Sequence, residues 1–439
     1  MRERLRKLLP LAEENAVRYR RDFHAHPELG WGEYRTASLI ARRLQELGYR
    51  VKTGQAVLDG KSRMGLPEAD PMRRQYDRAI REGADREYAE TMREGFTGVT
   101  GELGQGTGAT IGFRFDIDAV PVRETLDPDH FPARENFTSR HDEAMHACGH
   151  DGHAAIGLGL AEIIAGLDAR LPGRVKLIFQ PAEEGVRGAR AMVEAGVVDD
   201  VDILFGLHIG LGARKTGEFR CGTRGFLATT KFDAHFTGVP AHPAYDPHKG
   251  RNALLSAATA VMNLQAIPPH GAGRTWVHVG SLTTGAGRNL IPDRAVLVME
   301  TRGETSALDD YARTYAERII ATSAETHGTR CSIVRMGEAA SGDSDEGLMR
   351  RVHEIARRSG VFPDLKLSNE GSIGVSEDFT HMMKRVADRG GRSTYLLLGS
   401  DLVGNHHSPQ FDFDESVLGR GVEILALLAL ELGGESHEV

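Results

Sequence analysis

Apolar residues along the chain fall into short unbroken runs separated by longer stretches of helical spacing. ATIGFRFDI (109–117), RVKLIFQ (174–180), VDILFGLHI (201–209) and STYLLLGS (393–400) are dense in aromatic, branched and aliphatic residues. That is the pattern of strands covered on both faces. GHAAIGLGLAEIIAGL (152–167), GARAMVEAG (188–196) and SVLGRGVEILALLALEL (416–432) read as helices between or after them. Strands alternating with helices predict an α/β domain with a mostly parallel central sheet. At the N-terminus, residues 10–50 read as one long amphipathic helix ending at Gly48.

Between about 223 and 338 the rhythm changes. TTKFDAHFTG (229–238) alternates like a half-exposed strand, and 251–267 is helical. Strands follow at 275–285 and 294–303, then a helix at 308–328 and a strand near 330–336. Strand-helix-strand-strand-helix-strand is the order of a ferredoxin-like α+β unit. The expected organisation is therefore one domain made of 1–222 and 339–439, with a second, 223–338, inserted into it. Residues 59–97 stand apart as a charge-dense segment. Met72, Tyr76, Ile80, Tyr88 and Met92 recur there at multiples of four, which predicts a helix with one apolar stripe. It reads as a surface insertion, with a flap near a site or a subunit contact as the sharper alternative.

Composition narrows the function. The chain has 439 residues, 40% hydrophobic and 26% charged, which is globular and allows more than one domain. Its net charge of −8 argues against nucleic acid as a partner. No apolar run reaches membrane-spanning length, and the N-terminal segment lacks a secretory apolar region, so a cytoplasmic protein is expected. Three cysteines are too few for a disulfide framework and suit a reducing compartment.

The 19 histidines matter more, because several cluster. Asp116 and Asp118 close one predicted strand. His146, Cys148, His150, Asp151 and His153 crowd the loop before a helix. Glu183 and Glu184 follow the next strand, His208 ends another, and His406 and His407 lie just beyond the last. All five groups fall at the edge of an open α/β sheet where ligands bind. Imidazole, thiolate and carboxylate together suit zinc or manganese, and a pair of such ions can activate water between them. Glu183 and Glu184 are adjacent, so on extended chain they diverge, one free to bind metal and the other to act on the water. There is no G-x-S-x-G elbow for a serine mechanism.

At these residues the sequence resembles the M20 metallopeptidases of the aminoacylase/carboxypeptidase type, in the branch that splits N-acyl amino acids. RRDFHAHPELGWGEYRTA, MHACGHDGHAAIGLGLA, KLIFQPAEEGVRGARAMVEAGVVDDVD, ATTKFDAHFTG, GRNLIPDRAVLVMETRG and NHHSPQFDFDE carry the resemblance across nearly the whole chain. Most of that branch lacks the 59–97 insertion. The resemblance implies a two-metal exopeptidase-like catalytic domain plus a lid and dimerisation domain. It implies metal ligands Cys148, His150, Glu184, His208 and His407, with Glu183 as the catalytic base. Asp116 and Asp118 are expected behind the metal ligands. His242 of the inserted domain is expected to complete the partner subunit's site; the branch reads His-Ala there and this chain His-Pro. Asn289 and Arg302 are expected to face the substrate carboxylate, with Arg288 a competing candidate. The implied cofactors are two divalent ions, Mn²⁺ or Zn²⁺. The implied reaction is hydrolysis of the amide between an aryl or acyl group and an amino acid, with p-aminobenzoyl-glutamate the expected substrate. Other N-acyl amino acids, of an indole-acetyl-aspartate type, are the alternative, as is a non-catalytic partner of such an enzyme. The expected assembly is a homodimer, or a heterodimer or heterotetramer with a related chain.

Overall fold

The computed structural model describes residues 2–167, 171–285 and 287–434. Its strands order themselves into separate sheets. The large sheet contains β1 (Arg50–Thr53), β2 (Val99–Leu103), β3 (Thr110–Asp116), β4 (Arg174–Gln180), β5 (Ile203–Ile209) and β6 (Glu218–Arg220). The small sheet contains β7 (Ala228–Thr237), β8 (Thr275–Thr284), β9 (Arg294–Gly303) and β10 (Arg330–Ala339). β11 (Asp364–Lys366) and β12 (Arg392–Leu398) return to the large sheet, whose order is β1-β2-β4-β3-β5-β12-β6-β11.

The centre of the large sheet, β4-β3-β5-β12, is parallel; β1, β2 and β6 supply antiparallel pairings towards the edges. Its strands are buried along almost their whole length because both faces are covered. Alternate residues serve opposite faces. Phe179, Phe205, Leu396 and Leu398 join the core under the helices Arg2–Ala25, His150–Leu167 and Ser416–Leu432. Ile178, Leu204, Tyr395 and Leu397 join the core under Ala189–Glu194 and Phe379–Asp388.

The small sheet is antiparallel, with order β10-β7-β9-β8. The helices Ala253–Leu264 and Ser306–Thr326 cover one face around Phe232, Phe236, Leu297 and Ile320. This is the ferredoxin-like arrangement that the strand and helix order predicts.

Two expectations need correction. The stretch 10–50 is two helices, Arg2–Ala25 and Tyr34–Glu46. Between them Trp31 adopts φ +68, and the Glu28 carboxylate accepts hydrogen bonds from the Arg35 and Thr36 amides at 2.9 and 2.8 Å. Those amides belong to the unpaired first turn of the new helix, so Glu28 starts it. Gly48 does close the second helix, at φ +86. The insertion is likewise two helices, Ala69–Arg81 and Arg86–Thr91. Gly83 at φ +95 ends the first, and Asp85 caps the second through the Tyr88 amide at 3.1 Å.

Candidate metal centre

The five chemistry-bearing segments converge beyond the C-terminal ends of β3, β4, β5 and β12. Donor atoms of Cys148, His150 and His208 lie within 4.8 Å of one another. So do those of Cys148, Glu184 and His407, and those of His150, Glu183 and Glu184. All five expected ligands therefore meet, and Cys148 is common to two of the groups.

Their hydrogen bonds show which atoms are free. His150 donates Nδ1–H to the Asp118 carbonyl at 2.9 Å, leaving Nε2 buried without a partner. His208 donates Nδ1–H to the Ile209 carbonyl at 2.7 Å, and its Nε2 lies 3.5 Å from Cys148 Sγ. His407 Nε2 lies 3.1 Å from Glu184 Oε1, in ion-pair range but off-line for a hydrogen bond, so Oε1 has no bonded partner. Buried polar atoms left unpaired are costly. A thiol, three imidazoles and a carboxylate whose donor atoms are turned together fit divalent zinc or manganese. A fixed second nitrogen is also how metal-binding histidines are usually oriented.

His153 lies in the same cluster but is spent. Its Nδ1 is 2.5 Å from Asp116 Oδ1, and its Nε2 accepts from the Ile209 amide at 2.9 Å. Asp116 also accepts from Arg114 at 2.6 Å. Burial opposes its ionisation, but His150, His153 and Arg114 outweigh that and hold it well below the usual carboxylate range. Asp118 accepts the Glu183 and Glu184 amides at 3.1 and 2.9 Å. Both aspartates thus orient residues of the cluster.

Glu183 and Glu184 do not diverge on extended chain. They sit in a turn in which Ala182, Gly185 and Val186 have positive φ, and both carboxylates enter the same cavity. Buried Glu33 braces this turn by accepting the Ala182 amide at 2.8 Å. Glu183 approaches Glu377 and Asp378. Burial pushes its pKa well above the ordinary glutamate value, and Glu377, Glu184 and Asp378 push it further. A carboxyl tuned upward, with no hydrogen bond among the described contacts, has the properties of a proton acceptor and donor.

The cavity holding Glu183 is about 320 Å³. Arg302 and Lys231 of the small sheet form its far wall. Arg302 donates to Glu300 at 2.8 and 3.1 Å and to Ser376 at 3.4 Å, and Lys231 donates to Glu300 at 3.1 Å. A larger neighbouring cavity of about 640 Å³ shares Glu184, Gly185, Lys231 and His407. Gly65, Pro67 and Gln75 of the insertion line it, which favours the flap alternative for that segment.

His242, Asn289 and Arg288 are not brought to either cavity of their own chain and are exposed. His242 Nδ1 accepts from the Ala244 and Tyr245 amides at 3.2 and 3.1 Å. The loops of His242 and Asn289 adjoin, because Ile291 donates to the Ala241 carbonyl at 2.9 Å.

Several residues behind the site carry no usable signal in sequence. Buried Arg114 donates to Asp116, Glu377 and Asp378 at 2.6, 3.0 and 3.2 Å. Its place at the third position before Ile117 in a strand reads as ordinary polar interruption. Glu377 and Asp378 precede a helix, where acidic residues are common. Lys231 is legible only once β7 and β9 are paired, with Lys231 opposite Glu300.

Comparison with known proteins agrees with this geometry. The model of peptidase family M20/M25/M40 matches residues 112–431. The chain is 45% identical to indole-3-acetyl-aspartic acid hydrolase of Enterobacter agglomerans over 98% of each chain. It is 45% identical to one of the named subunits of p-aminobenzoyl-glutamate hydrolase of Escherichia coli K12, over 94% of each. The solved aminobenzoyl-glutamate utilization protein of Klebsiella pneumoniae superposes with TM-score 0.83 at 41% identity, covering 98% of both chains. With that match over most of its length, the protein belongs to peptidase family M20/M25/M40 and is a hydrolase of that family.

Proposed function

We propose that the protein hydrolyses the amide bond between an aryl or acyl group and an acidic amino acid, p-aminobenzoyl-glutamate foremost. The observation that carries this is the convergence of half-buried Glu183, a carboxyl raised in pKa, with a set of thiol, imidazole and carboxylate donors. Cys148, His150, Glu184, His208 and His407 would hold two divalent ions, Mn²⁺ or Zn²⁺. Such ions, when bound, supply Lewis acidity to a carbonyl and acidify water. Glu183 takes the proton from the attacking water and returns it to the leaving amine. Asp118 and Glu33 hold the Glu183 turn in place through its amides. Arg302, with Lys231 beside it, receives the α-carboxylate of the amino acid.

Residues 223–338 act as a lid and dimerisation domain on the catalytic remainder. Most large apolar side chains exposed among the described residues lie in this region, including Tyr245, Leu255, Met262, Val298 and Val334. Such concentration is the mark of a covered surface. Across the dimer, His242 stabilises the tetrahedral oxyanion in the partner's site, while Asn289 faces the carboxylate of the bound amino acid. The partner is a second copy or a related chain; the naming of the Escherichia coli relative as one subunit of its enzyme supports this reading. Three free thiols suit a cytoplasmic setting. No helix among the described residues is long and apolar enough to cross a membrane.

The test is hydrolysis by the metal-loaded protein of p-aminobenzoyl-glutamate, indole-3-acetyl-aspartate and a neutral N-acyl amino acid. Preference for the first supports the reading. Preference for the second moves the assignment to the other 45% identical relative. Turnover of none, with two ions bound, supports a non-catalytic partner role.

A further inference from the structure

Three Lys or Arg side chains line the two joined cavities: Lys231, Arg302 and Arg187. The first two share one counter-charge, since both donate to Glu300. That trio carries one net positive charge. Arg187 is different. Its Nε donates to the Glu184 carbonyl at 2.8 Å and its Nη1 to the Gly65 carbonyl at 3.1 Å. Among the described residues its hydrogen-bond partners are these neutral carbonyls, so its charge is uncompensated. The two cavities thus offer two separate basic positions, Arg302 with Lys231 in one and Arg187 in the other.

Arg187 is also held in a built cradle. A Cβ on Gly30 would lie 2.3 Å from Arg187 Nη2, and one on Gly65 would lie 2.7 Å from its Cδ. Two glycines from separate loops, one of them in the insertion, leave the room that the side chain fills. A half-buried guanidinium fixed by two backbone acceptors loses little further entropy on binding a carboxylate.

Resting on the amidase reading above, we propose that Arg187 receives the side-chain carboxylate of the substrate's amino acid, while Arg302 and Lys231 receive its α-carboxylate. The insertion then has a function: its Gly65 carbonyl positions the residue that selects dicarboxylic amino acids. Arg187 touches neither the scissile amide nor Glu183 in this scheme, so it governs selection among substrates.

The experiment compares one acyl group on glutamate and on glutamine, a neutral near-isostere, using the metal-loaded full-length protein. Wild type should prefer the glutamate conjugate in kcat/KM. Arg187→Gln should lose about 10–100-fold on the glutamate conjugate, mainly through KM, and only about threefold or less on the glutamine conjugate. Arg187→Lys should restore part of the preference by restoring charge. Equal losses on both conjugates, or no change on either, would overturn the assignment and leave Arg187 a prop for the Glu184 turn. A wild type that hydrolyses neither conjugate would overturn the amidase reading itself, and this proposal with it. If Arg187→Gln fails to fold, Arg187→Lys alone decides through the ratio between the two conjugates. A ratio unchanged from wild type, despite the altered fork and tether, counts against it.

Discussion

Glu183 and Glu184 are neighbours whose pKa values shift in opposite directions, and the difference is made by what surrounds each. Glu184 faces Cys148 and His407, cationic or metal-binding company that keeps it ionised: burial works against the charge, and His407 and His150 overcome it. Glu183 faces carboxylates and is pushed the other way. Glu183→Gln should therefore keep metal and fold while turnover falls by at least ~10²-fold, as for loss of a general base. Near-normal kcat with full metal content would remove Glu183 from that role. Cys148→Ser should lower metal affinity, because a hydroxyl is a poor replacement for a thiolate. Cys331→Ser, at a half-buried thiol on β10 outside the cluster, should bind metal as wild type does. Equal metal content in the two variants would contradict the ligand assignment. His407 bears on pH. In the protein without metal, Cys148 and Glu184 raise it to about 10, so at neutral pH a proton must leave before the ring can coordinate. Metal affinity should accordingly rise with pH across the neutral to mildly alkaline range, read by competition with a chelator.

At the scale of elements, the helix His150–Leu167 is pinned by the N-terminal helix through a buried charge network. His24 places Nδ1 2.8 Å from Asp151 and Nε2 3.0 Å from Glu124, so both nitrogens donate and the ring is a cation. Arg20 donates to the same Asp151 at 3.1 Å. Burial alone would depress His24, but Asp151 and Glu124 prevail and raise it to about 9 from 6.5. A raised folded pKa contributes stability in full below the unfolded value and loses it as pH climbs through the folded one. The contribution, on the order of 3 kcal/mol at most, should thus fade between about pH 6.5 and 9. Glu124 has the reverse sign. Its burial is outweighed by His130 and His24, it falls to about 2, and its contribution is lost as pH drops from about 4.5 towards 2. Thermal unfolding across the neutral to alkaline window should show a falling Tm for wild type and a flatter profile for His24→Phe. Parallel profiles would contradict the pairing.

The same network shows where sequence reading stops. Strands at 174–180 and 294–303 and the helix at 416–432 are legible to the residue, because a buried apolar run, a two-residue alternation and a long apolar stretch each leave few alternatives. The metal cluster is legible because its residues crowd into short segments at strand ends. Arg20, His24 and Arg114 are not, since each looks like a surface residue until its partners arrive from distant parts of the chain. The break at 26–33 is marked by Pro27, Gly30 and Gly32, but the way Glu28 starts the second helix, by a side chain reaching forward from outside the usual capping position, is not legible.

At the scale of the molecule, the cavity holding Glu183 is closed from one side by the small sheet of the same chain and lacks His242, which lies exposed beyond the far end of β7. Mixing Glu183→Gln protein with His242→Ala protein should restore activity to about half of wild type per mixed dimer if the histidine is donated across the dimer, since one of the two sites is then complete. With exchange between dimers verified independently, absence of recovery would confine His242 to its own chain. The central claim, metal-dependent amide hydrolysis at the Cys148–Glu184–His407 and His150–His208 cluster, is tested most directly by titrating metal-stripped protein with Mn²⁺ or Zn²⁺ while following release of p-aminobenzoate from p-aminobenzoyl-glutamate. No turnover is expected without metal, with a rise to a plateau at two ions per chain. Turnover by the stripped protein, or none with both ions bound, would contradict it.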